Sequence, residues 1–171
     1  LNSALEDEEM ANFDAFIRRN ADEREVRYMV EPKLDGLSVE VVYRDGVFAS
    51  GSTRGDGRFG EDISRNLKTI PAIPLALREA GDPPPFLAVR GEVFMTKSGF
   101  HRLNRERTER GDDPFANPRN AAAGTVRQLD PKNTAGKPLD VYFYDILAVD
   151  GFTARTHREV LEAFPEWGLK T

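Results

Sequence analysis

Residues 31–42 of the chain read "EPKLDGLSVEVV" and place a charged segment between two apolar stretches. Apolar residues alternate with other residues before and after this segment, and such alternation is typical of strands. We therefore predict strands over residues 26–32 and 38–43, joined by a turn. Two carboxylates and a lysine, at alternating positions, would then lie in or beside that turn, and a fold alone gives no reason to place them there.

The remaining sequence predicts an α+β fold, with mostly antiparallel sheets and flanking helices. The tripeptide "RDG" at 44–46 is typical of a hairpin turn, so a strand should follow it. Capping boxes that begin at Ser3 and Thr156 predict a helix start at each place. The predicted elements are helices at about 4–20, 63–70, 97–110 and 156–167, a helix with Asn117 as its N-cap, and strands at 47–51, 86–95 and 139–149.

The strand predicted at 139–149 is nearly all apolar, which indicates burial on both faces. The overall composition, with 39% hydrophobic and 31% charged residues among 171, is ordinary for one globular domain. The chain has no cysteine, which excludes disulfides, thiolate metal sites and a cysteine nucleophile. No apolar run approaches the roughly 20 residues that span a bilayer.

The charge of the chain is unevenly distributed. The net charge of −5 argues against binding nucleic acid by overall attraction. Residues 101–127 nevertheless contain six arginines, which predict either a local basic surface or a solvated helix face. His101 and His157 are isolated in the sequence, and neither shows the spacing of a metal site.

Lys33 is a candidate covalent nucleophile. A lysine amine attacks only when it is neutral, and its pKa falls near other cations and rises near acids. The local sequence supplies acids, Glu31 and Asp35, so cations would have to come from elsewhere in the fold. The residues alone leave a second interpretation open, in which this is an exposed turn with a weak ion pair.

Longer stretches of the sequence decide between these interpretations. "KLDG" at 33–36 fits the KxDG motif of the covalent nucleotidyltransferases. The stretch at 31–70, "VRGEVFM" at 89–95 and "FANPRNAAAGTVRQLDP" at 115–131 closely resemble, in this order, the adenylation domain of bacterial NAD-dependent DNA ligases. The resemblance covers nearly the whole chain and favours Lys33 as the nucleophile.

The resemblance implies an α+β covalent nucleotidyltransferase fold, similar to ATP-grasp, that is incomplete in this chain. Residues 1–171 would be a partial adenylation domain, with a nucleotide-binding core at about 26–150 between the first and last helices. The domain that holds nicotinamide mononucleotide (NMN) and the OB-fold, zinc, helix-hairpin-helix and BRCT modules would lie outside it. The later lysines that grip the α-phosphate would also be absent. These residues alone should therefore adenylate poorly or not at all, and should not seal nicks.

The family reaction defines the expected partners. Lys33 would attack the α-phosphorus of NAD, release NMN and hold AMP as a phosphoramidate. The AMP would then activate the 5′-phosphate of a nick in double-stranded DNA, in replication and repair. Magnesium would be held largely through phosphates and water, and no zinc is expected in this part of the chain. The expected setting is the bacterial cytoplasm, with no membrane partner.

The resemblance also assigns binding roles. Asp35 would orient the lysine or the ribose, and Gly36 would let the backbone approach the nucleotide. The remaining roles are Glu31 in the adenine pocket, Arg54 near the ribose or phosphate, Glu92 on the ribose hydroxyls, Tyr144 stacked on adenine, and Arg119 and Arg127 on the DNA and phosphates. The residue types suit these roles, because arginine forks fit phosphate oxygens and a carboxylate accepts two hydrogen bonds from a diol.

Each role has an alternative. Arg54 begins an RGD tripeptide, which is a cell-adhesion motif, and Glu92 could pair with Arg90. Tyr144 could be an ordinary core residue, and Arg127 could cap a helix or form a local ion pair. Two other functions also remain. An ATP-dependent ligase or capping enzyme would share the lysine chemistry but not the 115–131 stretch. A non-catalytic domain would bind nucleotide or DNA without a covalent adduct.

Overall fold

The structure is a computed structural model that describes residues 6–21, 26–57 and 59–171. The chain divides into two compact units, Leu1–Pro32 and Lys33–Thr171. The described part of the first unit contains helix α1 (Asp7–Asn20) and an irregular segment after it. The second unit contains the sheet and the remaining helices.

Helix α1 begins one residue after its N-cap, Glu6, whose backbone N–H donates to the Glu9 carboxylate at 3.2 Å. The predicted cap at Ser3 lies outside the described residues. The irregular segment meets α1 through Tyr28, whose hydroxyl donates to Asp14 at 2.8 Å. The rings of Tyr28 and Phe13 also lie 6.1 Å apart.

The prediction of a strand over residues 26–32 is wrong, because residues 26–35 form no strand. A strand needs a neighbour to hydrogen-bond its backbone, and both edges of the strand that follows are occupied by other strands. Val30 is 90% exposed, although its position in the alternating pattern predicted burial. Lys33 therefore lies in an irregular segment before the first strand, not in a turn between two strands.

The second unit is built on a four-stranded sheet, β1 (Leu37–Arg44), β2 (Val47–Thr53), β3 (Phe86–Met95) and β4 (Leu139–Asp150). The strand order is β2-β1-β3-β4, and every neighbouring pair is antiparallel. The turn between β1 and β2 places Asp45 and Gly46 at φ values of 48° and 73°, as a tight hairpin with two left-handed residues requires. The sheet confirms the predicted α+β class.

The helices of the second unit are α2 (Ser64–Leu67), α3 (Lys97–Glu109), α4 (Pro118–Val126) and α5 (His157–Glu166). Helix α2 packs on β2, α4 packs on β3 and β1, and α5 packs on β4. Short 3₁₀ turns cover Glu79–Gly81 and Pro131–Asn133. The helices bury the face of the sheet that carries Val41, Val89 and Phe143.

The prediction that the last strand is buried on both faces is wrong. Leu139, Val141 and Phe143 of β4 are buried, whereas Tyr142 and Tyr144, which alternate with them, are only half-buried. The helices that cover the sheet pack against one face, so the opposite face keeps its contact with solvent. This second face carries the polar side chains of the candidate site.

Caps fix where α4 begins and where α5 begins and ends. Asn117 accepts a hydrogen bond from Asn120 N at 2.8 Å, and Pro118 occupies the first position of α4, as predicted. Thr156 accepts a hydrogen bond from Glu159 N at 3.2 Å at the start of α5. Gly168, at a φ of 85°, follows the end of α5.

Within the described ranges, no helix combines the length and the apolar character needed to cross a membrane.

Candidate functional site

The segment that carries Lys33 is fastened to β3 through Gly36. The Gly36 N–H donates to Oε1 of Glu92 at 3.1 Å. A Cβ atom on Gly36 would lie 2.2 Å from the carbonyl oxygen of Val93, so a side chain at this position would collide with the backbone of β3. The absence of a side chain at Gly36 is thus required for packing on β3. The role of Gly36 toward a nucleotide stays a prediction.

Glu92 lies at the centre of the open face of the sheet. It is half-buried on β3 and pairs with Ser38 of β1 on one side and Tyr142 of β4 on the other. Burial raises the pKa of Glu92, while the Gly36 N–H and the positive charges of Arg119 and Lys33 act in the opposite direction. A half-buried carboxylate with one backbone donor retains acceptor capacity for a ligand.

Asp35 and Arg119 connect the lysine segment to α4. Nη1 of Arg119 lies 3.4 Å from Oδ1 of Asp35, and the two side chains are 61% and 66% exposed. Arg119 lies in the first turn of α4, whose start is fixed by the Asn117 cap. Such an exposed pair contributes little to stability. Its consequence is positional, because it brings a cation beside the KxDG segment.

Tyr144 faces the same side of the sheet as Glu92. The ladder pairs Phe143 with Gly91 and Asp145 with Arg90, so Tyr144 is the extra residue of a β-bulge. Its hydroxyl lies 3.1 Å from Oγ of Ser38, which is the direct partner of Glu92 in the ladder. The ring is half-buried, which leaves part of it open to solvent.

Arg54 follows the last residue of β2, and its side chain is exposed. Its N–H donates to the carbonyl of Ser38 at 3.2 Å, so its backbone is held beside β1. Glu31 belongs to the first unit, and its assignment to the adenine pocket stays a prediction. The structure therefore brings Lys33, Asp35, Glu92 and Tyr144 around one patch of the open face and places the backbone of Arg54 beside it.

Arg127 is the C-cap residue of α4, and its guanidinium pairs with Glu61. Nε of Arg127 lies 2.6 Å from Oε2 of Glu61, and a second bond joins Nη2 to Oε1. The hydrogen bond from Arg127 holds the pKa of Glu61 below its usual value. Sequence reasoning missed both Glu61 and Ser38, since each partner is distant in the chain and no local pattern marks the pair.

No group of three or more His, Asp or Glu side chains placed to hold a metal ion occurs in residues 6–21, 26–57 and 59–171. The acidic groups of the patch are instead engaged singly, Asp35 with Arg119 and Glu92 with Gly36. The arrangement can accept hydrogen bonds from hydroxyl groups at Glu92, offer an aromatic face at Tyr144 and present an amine at Lys33.

Comparison with known proteins identifies the family of the chain. Residues 1–171 match the family described as "NAD-dependent DNA ligase adenylation domain". The chain is 53% identical to the DNA ligase of Haloarcula marismortui, over 96% of this chain and 23% of that protein. It is 52% identical to the DNA ligase of Salinibacter ruber, over 99% of this chain and 25% of that protein.

A further relative is the DNA ligase of Carboxydothermus hydrogenoformans, which is 49% identical over 99% of this chain and 25% of that protein. The chain thus spans about a quarter of the length of the curated relatives that it matches. The match extends across both units and includes every residue of the candidate site. The chain belongs to the family of NAD-dependent DNA ligase adenylation domains.

Proposed function

We propose that the chain carries out the adenylation step of an NAD-dependent DNA ligase, with Lys33 as the nucleophile. The single observation that carries the proposal is the Gly36–Glu92 hydrogen bond, which fixes the lysine segment beside a half-buried carboxylate on the open face of the sheet. Family membership supports the reaction class, and the geometry supports the choice of residues.

In the proposed step the neutral Nζ of Lys33 attacks the α-phosphorus of NAD. A P–N bond forms, the P–O bond to the bridging oxygen breaks, and NMN leaves with the electron pair of that bond. The amine loses its proton to solvent. Phosphoryl-type transfer of this kind depends mainly on positioning and on neutralising charge.

Asp35 would stand beside the reacting amine, and Arg119 offsets its charge. Because the guanidinium of Arg119 contacts the Asp35 carboxylate at 3.4 Å, that carboxylate has a partner other than Lys33. The amine would then face the substrate, and the arginine beside the KxDG segment would help to neutralise negative charge on the α-phosphate. This gives Asp35 a positioning role and Arg119 an electrostatic role in the first step.

The nucleotide would lie on the open face of the sheet. Glu92 would accept hydrogen bonds from the two ribose hydroxyls, which a carboxylate can do with its free lone pairs. The half-exposed ring of Tyr144 would stack on adenine. Arg54 would bind near the ribose or phosphate, and Glu31 would line the adenine pocket.

Magnesium would be held mainly by substrate phosphates and water, since the described residues supply no cluster of oxygen ligands. When bound, it would neutralise charge on the phosphate oxygens. Arg119 and Arg127 would contact the DNA and phosphates in the transfer of AMP to the 5′-phosphate of a nick. The other domains of the same ligase, nicked duplex DNA and NAD are the proposed partners, in replication and repair within the cytoplasm.

We also expect these 171 residues alone to adenylate poorly or not at all with NAD, and not to seal nicks. Arg119 contacts the KxDG segment, but a phosphoryl-type transfer is usually served by several cations around the phosphate. The proposal for the protein that carries this chain does not depend on this expectation.

The test compares two adenylate donors and follows the label onward. The protein that carries this chain is incubated with NAD or with ATP, each labelled in the adenylate group, and then with nicked duplex DNA that carries a 5′-phosphate. We expect labelled protein only from NAD, followed by transfer of the label to DNA and sealing. Labelling from ATP alone would indicate an ATP-dependent transferase, and no label from either donor would indicate a non-catalytic binding domain.

A further inference from the structure

We propose that Glu61 is a positioning residue that holds the guanidinium of Arg127 in the orientation needed to contact a DNA phosphate. The inference rests on the proposed function, since it assumes that Arg127 meets DNA. It adds a residue that lies outside the set around Lys33 and links the loop after β2 to the end of α4.

Arg127 and Glu61 form a bidentate ion pair, in which the planar guanidinium fork of Arg127 meets both carboxylate oxygens. Nε and Nη2 of Arg127 bond the two carboxylate oxygens of Glu61 side by side, with the Nε bond at 2.6 Å. A guanidinium has five N–H donors, and this pairing uses two of them. The three that remain, on Nη1 and Nη2, lie on the other edges of the fork. An anion can therefore bind Arg127 while Glu61 still holds it.

The backbone of Glu61 is held in place by two hydrogen bonds to Thr53. Its N–H donates to Oγ1 of Thr53 at 3.0 Å, and its carbonyl accepts from Thr53 N at 3.0 Å. A Cβ atom on the preceding Gly60 would lie 1.9 Å from the Thr53 carbonyl oxygen, so the chain passes very close to β2 here. The carboxylate thus projects from backbone that is tied to the edge of the sheet.

The backbone beside Arg127 is held by hydrogen bonds to buried polar side chains. The carbonyl of Gln128, next to Arg127, accepts a hydrogen bond from Nδ2 of the buried Asn66 at 2.8 Å. Asn66 also donates to Thr134 Oγ1 at 2.9 Å, and Thr134 donates to the carbonyl of Thr125 at 2.8 Å. Both backbones are held, so the fork has one preferred direction.

The exposure of the pair indicates what it does. The side chains of Arg127 and Glu61 are 52% and 55% exposed, and exposed ion pairs add little to folding stability. Ordering a long arginine side chain before a ligand arrives, however, removes part of the entropic cost of binding. Preorganisation of Arg127 is therefore the effect that this pair is placed to produce.

This role gives a prediction opposite to that of simple electrostatics. Glu61→Gln removes a negative charge beside the DNA, and charge alone would then tighten binding. A positioning role requires the reverse, because the neutral amide cannot hold both edges of the fork. We expect Glu61→Gln to weaken binding about threefold. Arg127→Ala should weaken it about tenfold and lower the slope of log affinity against log salt by about 0.9.

The experiment measures the affinity of the protein for a nicked, 5′-phosphorylated duplex by fluorescence anisotropy, without NAD, at several salt concentrations. The single variants are Glu61→Gln, Glu61→Asp, Arg127→Ala and Arg127→Lys. The double variants are Glu61→Gln/Arg127→Ala and Glu61→Gln/Arg127→Lys. Glu79→Gln, on the 3₁₀ turn at Glu79–Gly81, removes the same charge away from the pair and serves as control. Thermal unfolding of each variant shows whether any loss of binding reflects lost folding.

The sign of the Glu61 effect should reverse in the double variant. Without Arg127 only the repulsion between Glu61 and DNA remains, so Glu61→Gln should then tighten binding about twofold. A lysine at position 127 keeps the charge without the fork, so Glu61→Gln should not weaken binding in that background. Glu61→Asp keeps a carboxylate on a shorter side chain. A DNA affinity between those of the parent and of Glu61→Gln would further support the positioning role of Glu61.

Two different failures are distinguishable. If the protein does not bind nicked DNA, or if Arg127→Ala leaves the affinity unchanged, the proposed DNA interface at Arg127 fails and the inference fails with it. If Arg127→Ala weakens binding but Glu61→Gln leaves it unchanged or tightens it, the interface stands and the positioning role of Glu61 is wrong.

Discussion

The N–H of Gly36 donates a 3.1 Å hydrogen bond to the carboxylate of Glu92, which lies on a strand 56 residues further along the chain. This bond joins the irregular segment that carries Lys33 to the centre of the sheet. Gly36 is also packed against the carbonyl of Val93, so the join depends on the absence of a side chain. The position of the proposed nucleophile is therefore set by β3.

Gly36→Ala should weaken the contact between the lysine segment and β3. Its Cβ would lie 2.2 Å from the Val93 carbonyl oxygen, and the backbone would have to shift. We expect a loss of about 1–3 kcal/mol in the free energy of unfolding, as for other overpacked sites, together with a large loss of adenylation. Denaturant unfolding and adduct formation measure the two effects.

Gly136→Ala is the matched control for Gly36→Ala, because nothing lies within 4 Å of a Cβ there and only its positive φ of 71° opposes the change. It should cost about 1–2 kcal/mol of stability through strain alone and leave adenylation intact. Equal adenylation by the two variants would contradict the account of Gly36.

Glu92→Gln should separate stability from activity. Burial raises the pKa of Glu92, so its ionised form costs folding stability. That cost is absent below the usual carboxyl pKa of 4.5 and appears as the pH rises through the higher folded value. The glutamine variant should therefore be more stable than the parent at pH 7 and equally stable in acid, while it adenylates more slowly.

Unfolding curves across this pH range, with rates of adduct formation at pH 7, test the prediction for Glu92. Asp145→Asn, on the neighbouring strand β4, offers a control for removing a carboxylate from the sheet. A glutamine variant that is less stable than the parent at pH 7 would show that the carboxylate is stabilised, not penalised, by its surroundings.

Tyr144 should act through its ring more than through its hydroxyl. Tyr144→Phe and Ser38→Ala each remove the 3.1 Å contact between the two hydroxyls but keep the aromatic face. We expect each to change the apparent Kd for NAD by less than about threefold, since a hydrogen bond makes a modest net contribution. Tyr144→Ala should weaken NAD binding about tenfold or more, through lost stacking. A loss as large in Tyr144→Phe would point to the hydroxyl instead.

Asn66 should prove important for stability. It is buried, and its side chain bonds Gln128 O and Thr134 Oγ1, which hold the end of α4. We expect Asn66→Ala to lower the free energy of unfolding by about 2 kcal/mol, because it leaves buried polar groups without partners. The exposed Asn133 gives the control variant Asn133→Ala, which should change stability little. Equal losses in both would exclude a special role for the buried network.

The sequence predicted those elements whose signals are local. The strand at 86–95 and the "RDG" hairpin occur as predicted, and Asn117 caps α4. The strand predicted at 26–32 is absent because alternation alone does not supply a neighbouring strand. The two-sided burial predicted for β4 is wrong because the covering helices pack against one face only.

The same distinction holds for the candidate site. Motifs placed Lys33, Asp35, Gly36 and Glu92 in one region, and the structure brings Gly36 and Glu92 into contact. The partners Ser38 and Glu61 carry no local signal, since each contact joins residues far apart in the chain. Pairings of this kind follow from strand register and loop path, which the sequence pattern does not encode.

The most direct test of the central claim is the intact mass of the protein that carries this chain, measured after incubation with NAD and magnesium and followed by peptide mapping. Lys33→Ala is the test variant, and Lys132→Ala, which removes an exposed lysine elsewhere, is its control. We expect an AMP adduct on Lys33 in the parent and in Lys132→Ala, with release of NMN, and none in Lys33→Ala. An unmodified parent, or an adduct that persists in Lys33→Ala, would contradict the account.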